Sequence, residues 1–110
     1  MAVLKLIEDI VANYQRHGWR LERVLLRPAT RASISERESV FDNARVRDSE
    51  IDALWFFRAS QKGREAWELR LIAEQQYALF EAFEADETEE QREEVRQEME
   101  ARMREHVTAG

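Results

Sequence analysis

The sequence predicts an α+β fold: a two-layer sandwich in which N- and C-terminal helices pack on one face of an antiparallel sheet of about four strands. Three observations carry this. Val3, Ile7, Ile10, Val11 and Tyr14 recur at spacings of three and four near the N-terminus. Trp67-Glu68-Leu69-Arg70-Leu71 is apolar at every second position, the period of a half-buried strand. Val95, Met99, Met103 and Val107 repeat at a spacing of four inside a long stretch that opens on glutamates.

Taken in order, residues 2–17 predict the first helix, with Lys5, Glu8, Asp9, Asn13 and Arg16 off its apolar stripe. Gly18 stands where a left-handed residue ends a helix. Residues 19–27 predict the first strand, ended by Pro28, which lacks the amide a ladder needs. Its alternation is imperfect: Trp19, Leu21 and Leu25 share one parity, Val24 and Leu26 the other. A strand apolar on both sides implies burial on both faces at that end. Residues 29–50 give the weakest signal. Ser35-Glu36-Arg37-Glu38 fits a capping box, with a short helix over 36–41 to follow or an extended segment around 32–35 in its place.

The second strand is expected over 51–58 and the third over 64–72, joined by a turn in which Gly63 suits positive φ. Residues 76–84 supply the fourth. The competing reading of 64–83 is helix, on propensity, but its apolar residues scatter around a helical wheel. Pairing Arg58 with Arg64 sets Trp55 against Trp67 and Asp52 against Arg70. Pairing Ile72 with Tyr77 then sets Glu68 against Glu81, which favours a one-residue shift there. Trp67 and Phe80 share a face in this register, and Phe56, Tyr77 and Phe83 take the other. The last helix is expected over 87–107, capped by Thr88 or Asp86, with residues 108–110 frayed.

The totals set bounds. At 110 residues the chain is expected to be one domain, 1–110, large enough to bury roughly two-thirds of its unfolded surface. Its charged fraction is 36%, against about 25% in ordinary proteins. Nine basic and six acidic residues give residues 1–47 a balance of +3; eight and seventeen give residues 48–110 a balance of -9. The net charge of -6 repels nucleic acid as a whole. There is no cysteine, which removes disulfides and thiolate metal sites and suits a cytoplasmic protein. Two acids interrupt the apolar N-terminal run, against a secretory signal. No window approaches 18 consecutive apolar residues, so no membrane span is expected.

The residues that carry chemistry elsewhere are few or badly spaced here. His17 and His106 both sit at helix ends, and neither belongs to a metal-binding spacing. No serine lies in a nucleophile elbow, and Gly18, Gly63 and Gly110 are too isolated for a phosphate loop. No metal and no cofactor is expected. The acids between Glu81 and Glu94 lack the pattern of a calcium loop. Arg16, Arg20, Arg23, Arg27 and Arg31 align only on a helix, which Gly18 and Pro28 oppose. A Glu68–Glu81 pair is the best catalytic candidate, since two close carboxylates raise one pKa. A solvated pair is the commoner outcome, and the balance is against an enzyme.

Seven of the ten aromatic residues fall between positions 52 and 83, enough to supply more apolar sheet face than two helices on one side cover. The expected function is therefore a non-catalytic interaction module. It forms a homodimer, or binds another protein, through an apolar sheet face, the C-terminal helix, or both. Trp55, Phe56, Trp67, Arg70, Tyr77 and Phe83 are the candidate ligand or interface residues, and Val95, Met99 and Met103 the candidate helix interface. The alternative is a small-molecule or anion-binding domain that uses the aromatic face with Arg58, Arg70 or the Arg23–Arg27 edge.

Overall fold

The computed structural model describes residues 2–34, 37, 40–41 and 43–109. Helix α1 (Ala2–Arg16) leads to strand β1 (Arg20–Leu26), a short helix α2 (Pro28–Ser33) and strand β2 (Arg45–Asp48). Strands β3 (Ala53–Ala59), β4 (Glu65–Leu71) and β5 (Ala78–Phe83) then form a meander, and α3 (Glu89–Ala109) closes the chain. The sheet runs β2-β1-β3-β4-β5, antiparallel except for the parallel β1–β2 pair.

The fold is α+β, as the pattern predicts, and among the described residues it has three α-helices and a sheet of five strands rather than four. The added strand is β2, Arg-Val-Arg-Asp, whose single apolar residue gives no alternation to detect. Parallel pairing also separates it from β1 by a long crossover through α2. Pro28 starts α2, where its missing amide is harmless. The proposed capping box falls largely on residues outside those described.

The two long helices lie on opposite faces of the sheet, not together on one. Ile7, Ile10, Val11 and Tyr14 of α1 pack on Leu21, Val24, Leu26, Leu54 and Phe56. Met99 and Met103 of α3 pack on Leu25, Ala53, Trp55, Trp67, Leu69 and Phe83. The reason is the central strand: Ala53, Leu54, Trp55 and Phe56 are consecutive and all buried, so both faces need a cover. A bulge at Glu22 explains the broken alternation of β1, since it lets Leu21 and Val24, of opposite parity, both face α1.

The end of α1 is a Schellman turn. Trp19 N–H donates to Tyr14 C=O and Gly18 N–H to Gln15 C=O, with Gly18 at φ +86°. The accompanying apolar contact is Trp19 edge-on to Tyr14, centroids 6.2 Å apart. At the other end of the chain, Thr88 and Gln91 form the capping box of α3, each side chain accepting the other's backbone N–H. The helix continues to Ala109, past the expected end at 107.

Register differs from expectation by two residues between β3 and β4. Phe57 pairs with Trp67 and Leu54 with Arg70. Asp52 instead accepts from Arg27 N–H and Nε and from Thr30 Oγ1, tying β3 to the start of α2. Between β4 and β5 the one-residue shift occurs: Glu68 pairs with Phe80 and Trp67 with Glu81. A one-residue slip exchanges faces. Tyr77 and Phe83 therefore join the Trp67 face, and Phe80 leaves it.

Candidate functional site

Of the six residues expected at an aromatic site, four share one face of the sheet, and α3 covers that face. Trp55, Trp67, Tyr77 and Phe83 gather on one face, with α3 laid over them through Val95, Met99 and Met103. Met99 and Met103 are buried against the chain's own sheet. Phe56 lies on the opposite face, stacked on Tyr14 with ring centroids 4.0 Å apart. Arg70 is on that face too, buried, donating to the carbonyls of Leu71 and Ala73. Tyr77 stacks flat on His106 at 3.6 Å, which gives that helix-end histidine a packing role. Glu68 and Glu81 fall on opposite faces, so they make no acid–base pair.

The apolar stripe of α3 docks only in part, and buried charged residues complete the contact. Its buried residues are Arg92, Arg96, Met99, Glu100 and Met103, while Val107 is 43% exposed. Arg96, fully buried, lies 4.4 Å over the Trp67 ring and 5.7 Å from that of Phe83. Its Nε donates to Glu93 at 2.9 Å and its Nη2 to Glu89. Arg92 donates to Glu84 C=O at 2.6 Å and pairs with Glu65 at 3.0 Å. Glu100 accepts from Trp55 Nε1 at 2.8 Å and from Arg47 at 2.7 Å. Arg92 Nε and Arg96 Nη1 are buried without hydrogen-bond partners. The rings beneath both guanidiniums take the place of an acceptor. The sequence signal for this docking is the spacing of Arg92, Arg96 and Glu100, every four residues on one helix face.

Among the described residues two groups have displaced acidities. Burial would raise the Glu93 carboxyl, but hydrogen bonds from Arg23, Gln97 and Arg96, with the Arg23 charge, hold it down at about 2. Burial, then the hydrogen bond it donates to Glu68 and the charge there, push the Tyr14 hydroxyl above its ordinary value, against the opposing pull of Arg70.

Among the described residues, two open parts of the surface bear on binding. The first is a groove of about 700 Å³ between α3 and the β1–β2 edge. Arg23, Arg45 and Arg47 line its floor, and Glu89, Glu90, Glu93, Glu94 and Gln97 its wall. Arg23 holds Glu93 with two bonds of 2.9 and 3.1 Å, and Arg47 holds Glu100. Arg45 has no ion-pair partner among the described residues. The second is the β5 edge. Phe80 there is 55% exposed and meets Trp19 edge-on at 6.3 Å.

Among the described residues no cluster of histidine and carboxylate side chains is placed to hold a metal ion. None of the helices is long and apolar enough to cross a membrane. Comparison with protein-family models, with curated proteins and with solved structures finds no match to this chain.

Proposed function

We propose that this chain is an interaction module whose partner is a second copy of itself. One observation carries the reading: the large exposed apolar group, Phe80, sits on an edge strand whose only charge is Glu81. Proteins ordinarily blunt such an edge with lysine, proline or a bulge, because unpaired backbone groups beside apolar side chains recruit another strand. The burial of both sheet faces moves the contact from the faces to the edge. The separation of Glu68 from Glu81 removes the carboxylate pair that an enzymatic reading would use. A cytoplasmic setting belongs to the same proposal and suits a chain without cysteine.

Light scattering across a range of concentrations tests this. A mass that rises from one chain toward two supports it, and a mass of one chain throughout overturns it. A single edge contact is smaller than a standard interface, so the rise should be gradual.

A second reading has its own observation, the groove lined by Arg45, which has no ion-pair partner among the described residues. An anion there would meet the Arg45 guanidinium in a groove that Arg23 and Arg47 also line. The glutamates of the wall oppose it, which ranks this reading second. Thermal unfolding with added inorganic phosphate tests it: a rise in Tm that Arg45→Ala abolishes supports it, and no rise removes it.

A further inference from the structure

We infer that two copies join by antiparallel pairing of β5 with β5, in a register centred on Phe80, making one ten-stranded sheet. The inference rests on the self-association proposed above and adds its geometry.

Which backbone groups of β5 face outward follows from its pairing with β4. Leu71 N–H donates to Tyr77 C=O, which makes 71 and 77 a hydrogen-bonded pair in the β4–β5 register. Pairs of this kind alternate along an antiparallel ladder. Tyr77, Leu79, Glu81 and Phe83 therefore turn their amides and carbonyls toward β4. Ala78, Phe80 and Ala82 turn theirs outward. The next outward amide, at Glu84, is already taken by the Glu87 carboxylate at 2.7 Å. The open edge thus has a defined length and centres on Phe80.

The edge is complementary to itself. An antiparallel pair about a two-fold axis needs outward residues opposite outward residues. Centring on Phe80 sets Phe80 against its own copy and Ala78 against Ala82 of the second chain. The small alanines leave room for the two rings. Between them Leu79 falls opposite Glu81 of the second chain, so no glutamate faces a glutamate. The two Phe80 rings and the flanking Trp19 residues then form one apolar strip on the α1 side.

The other edge is a poor alternative partner. β2 has four residues, three of them charged and exposed, and Asp48 is engaged by Arg31 at 3.0 Å. Pairing β5 with β2 would also be head-to-tail, an open chain rather than a closed pair.

The test is a charge exchange at the axis. Phe80→Lys and Phe80→Glu each place like charges opposite one another, and each is expected to weaken self-association roughly tenfold or more. Mixing the two variants places Lys opposite Glu and should restore a dimer containing one of each, seen by mass after labelling one variant. Phe80 is exposed, so both variants should fold; a circular dichroism spectrum checks this. Ala82→Pro is a second variant, since it removes an outward amide that no bond within the chain uses. A wild type that dimerises while Phe80→Lys and Ala82→Pro dimerise equally well overturns this inference and leaves self-association standing. Two monomeric charge variants that do not pair when mixed overturn the centring on Phe80. A wild type that stays monomeric overturns both readings and assigns the edge to a strand of another protein.

Discussion

The two faces of this sheet are covered by helices that dock through different physics. α1 presents Ile7, Ile10, Val11 and Tyr14 to the core, and burial of apolar side chains holds it. α3 presents Arg92, Arg96 and Glu100 beside two methionines, and guanidinium–ring contacts and ion pairs hold it. One face should therefore respond to lost volume and the other to lost charge. The comparison also explains why the aromatic cluster is no free surface: Trp67 and Phe83 lie under the buried guanidiniums of Arg92 and Arg96.

The sharpest way to break the comparison is to exchange the kind of damage between faces. Ile7→Ala leaves a cavity under α1 and should cost about 2–5 kcal/mol in denaturant unfolding. That loss should be the same at pH 4 and pH 7. Arg96→Ala should cost about 2–4 kcal/mol, from a desolvated cation–π contact and the packing of its stem over Trp67. Arg96→Met keeps the volume and removes the charge. It should lose most of what Arg96→Ala loses, because the ring contacts and the bonds to Glu89 and Glu93 go with the charge. An Arg96→Met variant as stable as the wild type would mean that packing, and not charge, holds α3.

Glu100→Leu should cost about 1–3 kcal/mol, because it strands the buried Trp55 N–H without an acceptor. The red shift of tryptophan emission on loosening of α3 would report it. The smallest effects are those of pH, and they run in opposite directions on the two faces. The folded carboxyl of Glu93, at about 2, lies below its ordinary 4.5. Its contribution is complete above 4.5 and is lost as pH falls toward 2. The Tyr14 hydroxyl is raised above its ordinary 10.0. Its contribution is complete below 10 and is lost as pH rises beyond. Acid should loosen the α3 face first and alkali the α1 face first.

These contrasts mark what the sequence makes legible. The α1 stripe, its Gly18 stop and the β3–β4 hairpin follow from periods of 3.6 and two and from one glycine. The apolar run Ala53–Phe56 leaves two faces to cover, yet the expectation sets both helices on one; the structure puts one helix on each. β2 is silent because a four-residue charged edge strand has no periodicity and its pairing is parallel. The exchange of Phe80 and Phe83 between faces turns on one residue of register in the loop between β4 and β5, which no glycine fixes. The docking of α3 is hidden because a buried arginine reads as a surface residue until the ring beneath it is known.

Hydrogen exchange of backbone amides, resolved by residue and compared at pH 7 and pH 3, tests this account most directly. If α3 is held by charge and α1 by apolar burial, protection factors across Glu93–Met103 fall at pH 3 while those across Ile7–Tyr14 hold. Equal loss of protection in both helices, or loss in α1 alone, would contradict it.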